Sequence, residues 1–582
     1  MRIRSRLPKK YAARLFLVFL PLITCHLNAQ SSLTGIFFEP KSVFFWGTGQ
    51  TQILALTGSY ADGSLRDVTN MAKFSTPSPS IASIAGGRLT SRGYGTGRVY
   101  AVLGGHRASA LVVVRQSGRA RTLNFAIDVA PIFSRVGCNT SGCHGALNGQ
   151  AGFKLSLFGY DPDSDFEAVV KNAEGRRVNL KDPGESLILQ KPTFAISHGG
   201  GQLIEKDSLE YKALYDWIAA GAPQGTPGGP RLEQLAVYPG GQRFITSSDQ
   251  KQQLVVVGKY SDGREVDMTH QVRYTPADET VVSVSSEGLV TPKRNGETSI
   301  MIRSLGAVGV AHVAVVVRPP VAKSQGSKTE NFIDTIVSEK LRRLRIEPSE
   351  TSSDSEFVRR VFLDLIGTLP TADEARNFLA DRSADKRARL IDGLFERREY
   401  ADFWSLKWGD LLTNSPQFLF NGTAYFQAWL REAFATNKPY DRMVRELLVS
   451  TGGTYQARPS NFYAVGKKPE DLATFASQAF LGVSLECARC HDHPSEKWKR
   501  EDFLGLAAFF SQVRFKGGAR NNERFLYIDP DKEFLHPQTK QVVAARFLGG
   551  AAVDFQPQED RRARLADWMT SPSNPYFARA IV

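Results

Sequence analysis

The sequence predicts a multidomain chain in which two all-β sandwiches alternate with a small α-helical domain and a mainly α-helical C-terminal region. Three observations carry this: a pattern that recurs after about 200 residues, a stretch of different character between the two copies, and helical apolar periodicity from Glu330 onward. At 582 residues the chain exceeds what one hydrophobic core organises.

A hydrophobic fraction of 42% and a charged fraction of 23% are those of folded globular protein. The formal charge is +14, but residues 1–29 hold six Lys/Arg and no acid, leaving 67 basic against 59 acidic residues beyond them. No basic run with interleaved aromatics stands out, so nucleic acid is not expected as a partner.

Arg2, Arg4, Arg6, Lys9, Lys10 and Arg14 precede the apolar run Leu15 to Ile23, and Ala29 offers a small residue for cleavage. This is the plan of a secretory signal at 1–29. The expected location is the periplasm or cell surface. A lipoprotein anchor at Cys25 is the less favoured alternative. An oxidising compartment permits disulfides, so each cysteine pair is a candidate haem site, metal site or disulfide.

Residues 33–116 and 231–318 share short apolar runs punctuated by Gly, Pro, Asp and Asn, which predicts antiparallel sandwiches. Gly58, Tyr60, Asp62, Gly63, Asp67 and Thr69 return as Gly258, Tyr260, Asp262, Gly263, Asp267 and Thr269, and the closing run Val112 to Val114 is matched with Val315 to Val317. Asp-Gly predicts a hairpin turn in each copy. On the Tyr-x-Asp-Gly turn and the Val-rich last strand, both copies resemble group 2 bacterial immunoglobulin-like domains. That resemblance implies a spacer or adhesive module, with envelope or polysaccharide contact, and no catalytic residues.

Between them, residues 122–222 read as helical. Phe125, Ile127, Val129, Ile132, Phe133 and Val136 predict a helix running into Cys138 and Cys143, with His144 next. Leu209, Ala213 and Trp217, with Leu214 and Ile218, predict a second helix that Gly221 and Pro223 stop. Asp161, Asp163 and Asp165 are expected as solvated loop acids rather than a calcium site. Through Cys138 to Gly145, Gly152 to Tyr160, His198-Gly199-Gly200-Gly201 and Trp217-Ile218, the segment resembles the planctomycete-type cytochrome C family, which implies a haem c-binding helical domain. Four residues separate the two thiols, which departs from the commonest haem spacing, and a Cys138–Cys143 disulfide is the alternative. The segment holds no Met, and His198 is its only other His, so it is the expected axial partner of His144.

After Glu330, Phe332, Ile336 and Val337, then Phe357, Val361 and Leu365, fall at helical spacing, and Thr371 to Glu374 forms a capping box. Trp404, Trp408, Phe426 and Trp429 are expected in the core. On Arg359 to Gly367, Asn437 to Asp441 and Phe480 to Pro494, residues 330–515 resemble the domain of unknown function 1549. On Arg561 to Trp568 and Asn574 to Arg579, residues 516–582 resemble the start of its companion, domain of unknown function 1553. No activity comes with either resemblance.

Within this half lies Cys487-Ala488-Arg489-Cys490-His491, the spacing of a covalent haem c site, with Cys487 and Cys490 for the vinyl groups and His491 for iron. Zinc held by the two thiols, His491 and His493 is the next alternative, then a disulfide. His536 is a candidate second ligand. No phosphate-binding loop, serine elbow or zinc-protease motif occurs, so catalytic residues are unknown. The functional expectation is an exported c-type haem protein holding one or two haems and exchanging electrons with a redox protein or small molecule. The alternative is a surface- or polysaccharide-binding protein whose cysteine pairs are structural.

Overall fold

The computed structural model describes residues 32–116, 123–225, 229–318, 331–464, 466, 468–489, 496–537 and 539–581. The expected signal at 1–29 and Cys25, Cys490, His491 and His493 lie outside them.

Ten strands form the first β domain: β1 (Leu33–Glu39), β2 (Ser42–Trp46), β3 (Thr51–Ile53), β4 (Ala55–Tyr60), β5 (Leu65–Asp67), β6 (Lys73–Ser75), β7 (Ala82–Ala85), β8 (Arg88–Ser91), β9 (Gly95–Leu103) and β10 (His106–Arg115). They pair as β1-β4-β5, β2-β10-β9-β6 and β3-β8-β7, with β2 and β10 parallel. Alternation sets the buried face: Ala108, Ala110, Val112 and Val114 of β10 point inward with Phe38, Leu56 and Val99. The second β domain repeats this order in β11 (Leu232–Tyr238), β12 (Gln242–Ile245), β13 (Gln252–Gln253), β14 (Val255–Tyr260), β15 (Glu265–Asp267), β16 (Arg273–Pro276), β17 (Val282–Val284), β18 (Leu289–Pro292), β19 (Gly296–Ser304) and β20 (Ala307–Val315).

The repeated residues have defined tasks. Gly63 and Gly263 turn at φ +77 and +79. Asp67 and Asp267 accept the amides of Thr69 and Thr269 at 2.9 Å, and each threonine hydroxyl accepts a backbone amide from the neighbouring strand, Leu56 at 2.8 Å and Val256 at 3.0 Å. The last strand departs from the expected match. His106 follows its hairpin as Ala307 does, so Val112 to Val114 correspond to Val313 to Val315, two residues earlier than the valine runs indicate. A shift of two keeps every side chain on the same face, so the apolar pattern cannot distinguish the registers.

The two β domains meet in a reciprocal contact. Asp267 Oδ2 accepts the Ile53 amide and Asp67 Oδ2 accepts the Gln253 amide, both at 2.7 Å. Ala55, Val255 and Val257 bury an apolar seam beside them, and Arg243 pairs with Glu39 at 2.7 Å in a nearly buried ion pair.

The intervening residues form α1 (Ala130–Val136), α2 (Pro162–Phe166), α3 (Leu187–Gln190) and α4 (Leu209–Ala219), with a π-helical turn over Phe125–Val129 leading into α1. Trp217 is fully buried against Phe125, and its indole donates to Pro223 O at 3.0 Å. The buried face of α4 is Leu214, Trp217 and Ile218, whereas Leu209 is 80% exposed. This domain seats on the second sandwich: Leu305 joins its core, and the Gly306 amide donates to Phe158 O at 3.0 Å. The loop acids are not a solvated set. Asp161 caps α2, Asp163 is exposed, and Asp165 is buried, accepting from the Ser156 amide at 2.5 Å and its hydroxyl at 2.7 Å.

The C-terminal half is helical, with the expected capping box at Thr371 and Glu374. A small core of Val358, Phe362, Ile366, Phe378 and Leu394 precedes a larger one that runs from Leu412 to Met569. Phe426 and Trp429 are buried in the larger core, with Trp408 packed against it, and Trp404 donates its indole to Leu365 O. Leu526, Phe534, Leu565 and Met569 share this core with Phe480 and Phe503, so residues beyond 515 complete it. Arg562, fully buried, ties Asp560 to the Ser450 carbonyl. The helix Phe332–Arg343 forms as expected, but Phe332, Ile336 and Val337 are exposed, and its apolar contact with the second sandwich is Leu344 against Ala314 and Val316, beside Lys340 paired with Glu297 at 3.0 Å.

Asp67→Ala and Asp267→Ala each strand a backbone amide between the sandwiches, and each is expected to lower stability by about 1–3 kcal/mol in chemical denaturation; unchanged midpoints would refute the reciprocal contact. Burial pushes the Asp165 carboxyl up to about 7, against the pull of Ser156, while an unfolded Asp titrates near ~4. Its stabilising contribution is therefore complete below about pH 4 and is lost as pH rises through 7. Calorimetry should show this domain melting lower at pH 8 than at pH 5, and Asp165→Asn should flatten that dependence.

Candidate functional site

The site is built by two loops. Helix α1 ends at Gly137, whose φ of +86 reverses the chain into the cysteine loop. The His144 amide then donates to Cys138 O at 2.9 Å, closing the loop that holds both thiols. Gly145 is required here, because a Cβ would lie 2.1 Å from Asn139 O. A turn at Gly149 returns Phe153 beneath His144, whose Nδ1 lies 2.9 Å from Phe153 O.

The second loop carries His198. Its Nδ1 lies 2.9 Å from Gly201 O, and a Cβ on Gly200 would come within 3.1 Å of the ring. Amides of Leu203 and Ile204 donate to Pro192 O, bracing the loop against the end of α3.

The sequence-predicted residues Cys138, Cys143, His144 and His198 thus line one cavity of about 540 Å³, a size ordinary for a cofactor site. The imidazole planes of His144 and His198 lie within 13° of parallel, with centroids 6.4 Å apart. Metal–nitrogen bonds of about 2 Å on both sides of one metal ion put such centroids about 6 Å apart. Carbonyl oxygens only accept, so each Nδ1 carries the proton and each Nε2 keeps its lone pair for a metal. Burial, with the nearby Arg177 charge and His198, lowers the His144 pKa against the pull of the Phe153 carbonyl, favouring the neutral ligand form.

Cys138 and Cys143 are free thiols. The surface Cys138 retains faces the cavity rather than bulk water, and burial, with Cys143 nearby, pushes its thiol up to about 12. It is held protonated and is a poor disulfide nucleophile. Apolar side chains including Phe133, Leu155, Ile188 and Ile204 form the walls, and Gly199 and Gly200 lie at the edge. These features fit a haem: two imidazoles with near-parallel planes, two thiols beside them, and an apolar slot.

Sequence reasoning missed the charges. Arg176, Arg177 and Lys191 also line the cavity, and no Asp or Glu does among the described residues. Nothing in the sequence distinguishes Arg176-Arg177 from a solvated pair, and only the fold brings Arg177 near His144.

At the second motif Cys487 is an exposed free thiol in the turn Cys487–Arg489, where Arg489 pairs with Asp471 at 3.1 Å. His536 Nδ1 accepts the Thr539 amide at 3.1 Å within its own turn. Among the described residues no group of three or more His, Cys, Asp or Glu is placed to hold a metal ion. A cleft of about 650 Å³ between the β domains is lined by charges of both signs, among them Arg66, Arg88, Lys251, Asp249 and Glu287, with Arg88 3.3 Å from His270 Nε2.

No curated protein matches the chain in sequence. Among solved structures it is similar to domains 1–6 of the surface layer protein SbsC, at 15% identity over 51% of this chain and 30% of that chain, with a TM-score of 0.14. Domains 5–6 of the same S-layer protein align at 12% identity over 49% of this chain and 98% of that chain, with a TM-score of 0.22. Human protocadherin-24 EC1-2 aligns at 9% identity over 50% of this chain and 100% of that chain, with a TM-score of 0.12. Superpositions this poor carry no argument about role. No helix among the described residues is long and apolar enough to cross a membrane. Residues 332–515 match the family PSCyt2, described as a protein of unknown function (DUF1549), which supports a domain of that kind in this part of the chain.

Proposed function

We propose that the chain is an exported c-type haem protein that transfers electrons, with its first haem in the domain at residues 122–222. The observation that carries this is the pairing of His144 with His198 in one apolar cavity beside two free thiols. Cys138 and Cys143 would hold the haem as thioethers, and His144 and His198 would bind its iron. A bound haem supplies one-electron exchange between ferric and ferrous iron.

The protein's own residues do the rest. The carbonyls of Phe153 and Gly201 fix both imidazole tautomers and orientations. The apolar walls exclude water, and Arg177 keeps a positive charge close to His144. Cys487, Cys490 and His491 would hold a second haem.

The two immunoglobulin-like domains are read as a spacer for the haem domain, with envelope or polysaccharide contact. The leader at 1–29 directs the chain to the periplasm or cell surface. Its partner is a redox protein or a small-molecule donor or acceptor, and the chain would act as a carrier or as the redox part of an oxidoreductase.

Co-expression with the cytochrome c maturation machinery should yield red protein with a c-type pyridine haemochrome, and Cys487→Ala should reduce its haem content from two to one. A colourless chain with oxidised cysteines and no iron would overturn the reading in favour of a surface-binding protein. His198→Ala should convert the first haem from low-spin to high-spin and admit carbon monoxide, whereas an unchanged spectrum would remove His198 as a ligand.

A further inference from the structure

A cavity that binds a purely apolar molecule gains nothing from buried cations, because desolvating a charge without a counter-charge is costly. This cavity has three cations on its wall and no carboxylate among the described residues that line it. Arg177 is the most telling of them, being only 7% exposed. Its guanidinium lies 4.5 Å over the Phe153 ring and donates to the carbonyls of Ala168 at 2.9 Å, Asn172 at 3.0 Å and Gly152 at 3.3 Å. Those bonds occupy three of its five N–H groups. The remaining two have no partner among the described residues, and the charge has no carboxylate. At the mouth, Arg176 is exposed with no bonded partner among the described residues, and Lys191 reaches only the Ser197 carbonyl at 3.0 Å.

We infer that Arg176, Arg177 and Lys191 form a carboxylate-recognition edge, so that the cavity selects a tetrapyrrole bearing free acid side chains over one whose acids are masked. This rests on the haem reading and adds to it the chemical feature by which the ligand is chosen and oriented. The apolar slot takes up the ring plane, and only the edge carrying acid groups is stabilised beside the three cations. Charge-assisted bonds are the strong class of hydrogen bond, and Arg presents them in a planar fork suited to a carboxylate. Of the three cations, Arg177 also braces the backbone around Phe153, whose carbonyl orients His144.

The test uses the full apo chain with metal-free protoporphyrin IX and its dimethyl ester, followed by fluorescence titration. The diacid is expected to bind at least about tenfold more tightly than the diester, which is the size of one charge-assisted bond. The double variant Arg176→Gln/Lys191→Gln, altering only mouth residues, should lose most of that preference, the diacid weakening far more than the diester. Arg177→Lys should retain part of it, because the charge stays and the fork is lost. Equal binding of diacid and diester by the unaltered chain, or a double variant that keeps the whole preference, would overturn the recognition edge while leaving the haem reading standing. A chain that binds neither porphyrin would overturn the haem reading, and this inference with it.

Discussion

The reciprocal carboxylate–amide contact between the sandwiches is the constraint from which the N-terminal half follows. Asp67 and Asp267 each hold a Thr amide in their own domain with one oxygen and a strand amide of the other domain with the second. Because the two domains share one topology, a bond made in one direction is made again in the other, as in an isologous dimer interface. Burial pushes the Asp267 carboxyl up, and the donors of Thr269 and Ile53 oppose that shift. The residues between the two sandwiches form a domain that borrows Leu305 of the second one for its core.

The same economy of backbone partners shapes the candidate site. His144 and His198 sit on loops more than fifty residues apart, and among the described residues the Nδ1 of each lies against a backbone carbonyl rather than a side chain. Each is aimed by a carbonyl of its own loop, Phe153 O or Gly201 O, so the ring planes align because the loops do. Backbone carbonyls cannot change protonation state, which makes them stable orienters for neutral imidazole ligands. The cation set works at a different scale, biasing what enters the cavity without touching either ring nitrogen.

The C-terminal half shows why a family match and a folding unit need not coincide. Residues 332–515 match the family, yet Leu526, Leu565 and Met569 lie in the core built by Phe480 and Phe503. Arg562 stitches this junction by bonding Asp560 and the Ser450 carbonyl while packing 5.0 Å from the Tyr463 ring. Phe332, Ile336 and Val337 teach the converse. Their helical spacing was enough to predict the helix, but spacing carries no information about whether a partner face exists to cover it.

Features set by neighbours in the chain were legible from sequence alone: the repeated Asp-Gly turns, the capping box at Thr371, the helix ahead of Cys138, and the Cys138, Cys143, His144 and His198 group. Each depends on local backbone chemistry or on the scarcity of a residue type. Tertiary structure alone decided the register of the last strand, where a shift of two leaves the apolar pattern unchanged. It also turned Asp165 inward and placed Arg177 beside His144 rather than in water. A charged side chain reads the same in sequence whether its partner is solvent or a cavity, because the energy that distinguishes them comes from groups brought close only by folding.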